Sequence, residues 1–320
     1  MRIINLKLRT IFLLTGLFVY LFIGSIPARA GALSLTLDPS IITIKAIPPA
    51  TTNNIITIQN KSENQVILKI QLNPFKPKLE NGELEYLDSQ DYSQIFSNIK
   101  ILDGDIPIDS LTLESKQQKK LTLNVTIPQD TNISDYYFSI IFISQNSSSA
   151  EDNFSLNQAG IATNVLLSVG SLETPKAILE EFSSDLFFEN GPVPFTVRVK
   201  NQGTHFIQPK GEIIIKNMFG QSIERVDLTR VNILSNSTRA IPNDLNIDFK
   251  SPKALWKENF LLGFYSATLN LPLSDKGPTF TRSIHFFAFP FQLLIIIIAL
   301  LIGGIFLTKR IKKYMNKNRT

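Results

Sequence analysis

Between residues 120 and 128 the side chains change character at every step. Leu121, Leu123, Val125 and Ile127 are apolar, Thr122, Asn124 and Thr126 between them are polar, and Pro128 follows. A period of two sorts side chains onto the two faces of a strand, whereas a helix would smear the same pattern around its circumference. Proline has no N–H to give to a ladder, so it closes the run. The same alternation recurs in Val66, Leu68, Ile70 and Leu72, up to Asn73-Pro74, and in Phe195, Val197 and Val199 against Thr196, Arg198 and Lys200. Residues 136–143 are apolar on both faces, which suits a central strand, and residues 161–169 read as another. Helical signals are sparse. Residues 89–99 predict a short helix or a long loop, and residues 252–259, with the single Trp256, predict a helical turn.

Many short strands separated by Gly, Pro and Asn turns imply an all-β chain of packed sheets. The polar stretch Ser171-Leu-Glu-Thr-Pro-Lys176 divides two strand-rich blocks, giving domains at 31–172 and 173–285, each large enough for one core. The blocks share a device. Ile56-Thr-Ile-Gln-Asn60 and Val197-Arg-Val-Lys-Asn201 are alternating strands that end on Asn followed by a small polar turn. Asn tolerates the left-handed backbone of a tight reversal, so shared hairpin chemistry accounts for the pair as well as common ancestry does. The polar spacer 145–153 predicts a hairpin tip.

The ends set the compartment. Arg2, Lys7 and Arg9 precede an uncharged apolar stretch at 11–26, and Ala28-Arg29-Ala30 is a small-x-small cleavage site. This is the layout of a secretory signal at residues 1–30, with cleavage specified by Ala28 and Ala30. Residues 286–307 carry no charge. At about 1.5 Å per residue they would span ~33 Å as a helix, enough for a bilayer core. Lys309, Arg310, Lys312 and Lys313 open the basic tail 308–320, which the positive-inside rule places in the cytoplasm. The chain has 32 basic and 27 acidic residues, and the two end segments hold ten basic residues and no acid, so the stretch between them carries a net charge of −5. The pI of 9.2 therefore belongs to the targeting and anchoring ends. It gives no reason to expect nucleic acid as a partner.

The residue inventory excludes several chemistries. There is no cysteine, hence no disulfide framework, thiolate metal site or cysteine nucleophile. His205 and His285, the only two imidazoles, lie 80 residues apart with no converging partners evident. Asp103-Gly-Asp105 with Asp109 lacks the ligand spacing of a calcium loop and reads as a solvated turn. No phosphate loop, Gly-x-Ser-x-Gly elbow or His-Glu-x-x-His is present. No enzyme activity, catalytic residue, metal or cofactor is expected. Six Asn-x-Ser/Thr sequons occur, at Asn60, Asn124, Asn132, Asn146, Asn153 and Asn236, a weak signal at this composition.

One set of motifs points to a family. Residues 191–203, Pro209-Lys-Gly-Glu-Ile-Ile-Ile215, Met218-Phe-Gly220, residues 231–239 and Gly263-Phe-Tyr-Ser-Ala-Thr268 run in order toward the Phe-Ala-Phe-Pro entry to the apolar segment. With Leu37-Asp-Pro-Ser40 and Asn60-Lys-Ser62 in the first block, this order resembles the WxL-interacting type of bacterial surface protein. The resemblance implies two tandem immunoglobulin-like β-sandwich domains followed by a single C-terminal transmembrane helix. It also implies recognition of a peptidoglycan-like envelope polymer or of another surface protein. The other expectation is an accessory subunit of a membrane-embedded secretion, pilus-like or transport complex. In both, the lipid bilayer is a partner through the C-terminal helix, and residues 31–285 lie outside the cytoplasm.

Overall fold

The computed structural model describes residues 33–145, 159–171, 174–245, 250–274 and 277–317. The expected cleavage site at Ala28 and Ala30, and residues 146–153 of the polar spacer, lie outside the described residues.

The first block holds β1 (Leu35–Asp38), β2 (Ile41–Ala46), β3 (Ala50–Asn60), β4 (Val66–Pro77), β5 (Leu84–Tyr86), β6 (Ile99–Asp103), β7 (Ile106–Pro107), β8 (Ser110–Leu113), β9 (Gln118–Ile127), β10 (Ser134–Ser144) and β11 (Gly160–Val169). One sheet runs β1-β3-β9-β6-β7, and the other runs β2-β11-β10-β4-β5 with β8 also on β4. The alternating residues of β9 behave as the sequence requires. Leu121, Leu123, Val125 and Ile127 are all buried, facing Phe138, Ile140 and Phe142 of β10 across a shared core. As expected, β10 is central, hydrogen-bonded to β11 on one side and β4 on the other. Strand β4 does not stop at Asn73-Pro74. It continues to Pro77, with Pro74 opposite Phe138. Between the sheets' strands, residues 89–99 form a 3-10 turn Ser89–Tyr92 and a one-turn helix Ser93–Phe96, the helical alternative.

The second block holds β12 (Ala177–Ser183), β13 (Phe187–Phe188), β14 (Val193–Asn201), β15 (Glu212–Asn217), β16 (Ser222–Asp227), β17 (Thr238–Ala240), β18 (Ala254–Trp256), β19 (Gly263–Pro272) and β20 (Thr279–Ala288). One sheet is β12-β14-β17 with β18 also on β14, and the other is β13-β20-β19-β15-β16. Phe195, Val197 and Val199 of β14 pack onto Ile213, Ile215, Ala267, Leu269 and Leu271 in a separate core. Here the sequence expectation of a helical turn at 252–259 fails. Ala254–Trp256 is a short strand that pairs antiparallel with Val193–Phe195. Three residues carry too little period to read, and burial of Trp256 against Phe286 decides the local structure.

The apolar C-terminal segment is also divided differently from the expected 286–307 span. Phe286, Phe287 and Ala288 are the end of β20, and Phe286 is buried among Phe188, Phe195, Trp256 and Tyr265. The helix begins at Phe291 and runs to Lys317. Its apolar part, Phe291–Ile311, is 21 residues long. At about 1.5 Å per residue that is ~32 Å, enough to cross a bilayer. Only Phe289 and Pro290 separate strand from helix.

Candidate interdomain joint and groove

Both blocks end a strand on a buried asparagine, and both asparagines do the same work. Asn60 Nδ2 donates to the carbonyls of Asn64, Leu113 and Glu114 at 2.8, 3.3 and 3.0 Å, while its Oδ1 accepts from the Ser62 N–H at 3.0 Å. Asn201 Nδ2 donates to the carbonyls of His205, Ile233 and Leu234 at 2.9, 3.0 and 3.2 Å, and its Oδ1 accepts from the Gly203 N–H at 2.8 Å. Each side chain satisfies carbonyls where a turn leaves the ladder. With Asn60 fully buried and committed in this way, that sequon is not a free acceptor.

The second turn carries more than a reversal. It delivers His205 and Phe206 of the second sandwich onto the end of β10 and β11 of the first. Asp135, 1% exposed at its side chain, is the hub. Its Oδ1 lies 2.7 Å from His205 Nδ1, and its Oδ2 accepts from the Phe206 N–H and the Tyr137 hydroxyl, both at 2.6 Å. The Tyr137 oxygen in turn accepts from the Ser235 N–H at 3.0 Å. Burial, and then the Asp135 charge, push the Tyr137 phenol's pKa well up, so it stays a donor. Around this polar knot Phe75, Tyr137 and Leu166 of the first sandwich pack on Phe206 and Leu234 of the second. Lys45 lies over the Phe206 ring at 5.7 Å.

Ser168 Oγ also lies 2.8 Å from His205 Nδ1, which brings Ser, His and Asp together. The geometry is not that of a nucleophile. Proton relay needs the hydroxyl on one imidazole nitrogen and the carboxylate on the other. Here both sit on Nδ1, and Nε2 is buried without a hydrogen-bond partner. The arrangement holds a joint. The sequence shows no partner for His205, because its partners are Asp135 and Ser168, 70 and 37 positions away.

Beside the joint, the β4–β5 hairpin of the first sandwich reaches over β17 of the second. The Ala240 N–H donates to the Glu80 carbonyl at 3.0 Å. Gly82 lies so close over the Arg239 guanidinium that an added Cβ would stand 2.3 Å from Nη2. Burial lowers the Arg239 pKa, and its Nη1 donates to the Asn232 carbonyl at 2.9 Å. Arg198, on the polar face of β14, meets Glu80 of the hairpin and also Glu181 at 3.4 Å and Glu180 at 3.8 Å. Between hairpin, β14 and the residues 250–253 lies a groove of 660 Å³. Among the described residues, Lys78, Lys250, Lys253 and Arg198 line it with Glu80 and Glu181. The alternation of β14 places Arg198 on the outer face, but nothing local in the sequence places Glu80 against it.

The remaining sequence candidates scatter. His285 is on β20, opposite Ser266, and takes no part in the joint's hydrogen bonds. Asp103 pairs with Lys119 at 2.7 Å beside the turn at Gly104, as a solvated reversal would. Among the described residues no group of three or more His, Asp or Glu side chains is placed to share a metal ion. Lys309 and Arg310 lie exposed near the end of the C-terminal helix, and the backbone of Lys312 and Lys313 continues it.

No protein-family model matches the chain, and no curated protein matches it. Among solved structures it is similar to the class 5 fimbriae chaperone CfaA, with a TM-score of 0.37 and 12% identity over 78% of this chain and 98% of that one. It is similar to the Pseudomonas aeruginosa chaperone CupB2, with a TM-score of 0.37 and 10% identity over 78% and 100%. The E. coli chaperone DraB gives a TM-score of 0.35 and 11% identity over 78% and 98%. These neighbours are fimbrial chaperones, and neither sequence comparison points to WxL-interacting proteins, so that resemblance is withdrawn. Its motifs turn out to be strand ends and turns. Asn60, Asn201 and Gly220 do structural work that many β-sandwiches need, which is why their order carried no family information.

Proposed function

We propose that the chain is a non-enzymatic, membrane-anchored accessory protein that holds a polypeptide partner, in a secretion, pilus-like or transport assembly, at the groove between its two immunoglobulin-like sandwiches. The helix Phe291–Lys317 crosses the membrane, the sandwiches lie outside the cytoplasm, and Lys309, Arg310, Lys312 and Lys313 lie on its cytoplasmic side. The observation that carries the reading is the groove itself, at a joint locked by Asp135 and lined by charges of both signs. A peptide offers backbone donors, acceptors and a terminal carboxylate to such a lining.

Photo-crosslinking in intact membranes tests this. A photoreactive residue at Thr196 or Thr238, both in the groove, should yield a discrete polypeptide adduct, and one at Glu224 on β16 should not. Lys253→Glu should reduce the adduct. Equal labelling at all three positions, or salt-resistant sedimentation with wall sacculi and no adduct, would sink the proposal.

A further inference from the structure

The end of the second sandwich away from the joint exposes large apolar side chains. Phe187, Phe287 and Phe264 form a row across three neighbouring strands, because β13 pairs Phe187 with Phe287 and β19 pairs Phe264 with Phe287. Their rings are 6.2 and 4.7 Å apart. The register that sets Asn217 opposite Tyr265 carries the β15–β16 turn to the same level, and Met218 Sδ would stand 3.4 Å from a Cβ on Gly263. Three loops then present large apolar side chains beyond the row. Leu186 and Phe219 are each 79% exposed, and Phe260 is 58% exposed. Turn positions favour Gly, Asn, Asp and Ser, so these residues are not there for turn chemistry. An apolar patch of this extent on one end of a domain marks something that covers it.

The patch is continuous with the C-terminal helix. Phe287, Phe289 and Phe291 follow one another with ring separations of 6.3 and 4.8 Å, and Phe291 returns to Phe187 at 5.7 Å. Glu189 fixes the helix to the domain. Its carboxylate accepts from the Gln292 N–H at 2.8 Å and from Gln292 Nε2 at 3.2 Å, filling one of the first-turn donors that a helix leaves open. The helix therefore starts at the level of the patch with no free tether between them.

We propose that this aromatic collar is a second membrane contact: the base of the second sandwich seats in the interfacial layer of the leaflet where the helix enters, with Leu186, Phe219 and Phe260 reaching the acyl boundary. The inference rests on the reading that the helix crosses the bilayer. The occupant is lipid, because the patch merges with the surface that lipid must cover on the helix, and interfacial aromatics are at home at that depth. The charged joint at the opposite end then faces away from the membrane.

The chain has no native cysteine, so single labels are clean. Full-length protein carrying Leu186→Cys, Phe219→Cys or Phe260→Cys is labelled with a nitrobenzoxadiazole dye and reconstituted into phosphatidylcholine–phosphatidylglycerol vesicles. Ile297→Cys reports the helix, and Ile106→Cys, exposed on the first sandwich, reports the aqueous phase. Nitroxide-bearing lipid should quench the collar and Ile297 labels, and aqueous iodide should quench only Ile106. Adding Phe219→Asp with Phe260→Asp should return the Leu186 label to iodide. Collar labels open to iodide while Ile297 is lipid-quenched would overturn the collar and leave the anchor. Collar labels shielded from both quenchers would mean a protein cover and would overturn it too. An Ile297 label open to iodide would instead remove the anchoring reading beneath it.

Discussion

The two ends of the second sandwich solve opposite problems with opposite chemistry. The end facing the first sandwich is closed by Asp135, which collects His205, the Phe206 N–H and the Tyr137 hydroxyl in a nearly dry knot. The end facing the helix leaves Phe187 and Phe264 exposed on either side of a half-buried Phe287, their rings tilted against it, with Leu186 and Phe219 beyond them. Buried polar groups are costly when unpaired, so the first end is specified by a few irreplaceable partners. Apolar surface is non-directional, so the second end is specified by area and position, and single substitutions there cost little internally. The difference teaches that one domain can close one end with paired polar groups and leave apolar area exposed at the other.

The largest effect should come from emptying the hub. Asp135→Ala leaves the Phe206 N–H and the Tyr137 hydroxyl without their acceptor, and leaves His205 Nδ1 with Ser168 Oγ as its remaining partner. At about 1–3 kcal/mol for each buried unsatisfied group, a loss of ~3–5 kcal/mol is expected in the urea midpoint of the full chain in detergent. A loss under about 1 kcal/mol would mean that water replaces the carboxylate and that the joint is not dry. Next come the paired asparagines. Asn201→Ala and Asn60→Ala each orphan carbonyls at a strand end and should each cost about 1–3 kcal/mol. Asn201→Ala should also loosen the joint, measured as faster amide exchange at Phe206, whereas Asn60→Ala should leave that amide protected.

Tyr137→Phe sharpens the polar end through pH. The folded-state pKa of Tyr137 is raised, so above the ordinary phenol value the unfolded chain releases a proton that the folded chain keeps. Stability from this group is intact below about pH 10 and falls above it, by up to about 1.4 kcal/mol per pH unit. Tyr137→Phe should remove that share of the alkaline slope, seen as a difference between the two proteins' midpoints on titration. The smallest effect belongs to the other end. Phe219→Asp should move the urea midpoint by less than about 0.5 kcal/mol, because the ring is already exposed. A larger shift would show that the collar packs inward as well.

What the sequence revealed follows from range. Strands such as β9 and β14 announce themselves, since alternation is local and each buried face needs only its own neighbours. Strand β18 was read as a helical turn because three residues hold no period. The joint was illegible for a different reason. Asp135, His205 and Ser235 lie on three separated segments, and no pattern in any one of them names the others. The Asn60 and Asn201 turns were visible, but the expected left-handed hairpin chemistry fails: neither residue has a positive φ, each turn joins different sheets, and the shared role is side-chain hydrogen bonding, while the family drawn from the same motifs also fell. The collar left a faint mark, legible only as part of a family motif: Met218-Phe219 in a turn where small polar residues are the rule.

Phe289 and Pro290 are the whole distance between the last strand and the helix. Two residues extend no more than about 7 Å. A domain so mounted cannot sweep a hemisphere in search of its target. Once the helix is in a bilayer, the groove travels at one height and in one attitude, and encounters become a problem of lateral diffusion in a plane. Partners rooted in the same membrane, with their binding segment held at matching height, would be met often, and freely diffusing ones only from above.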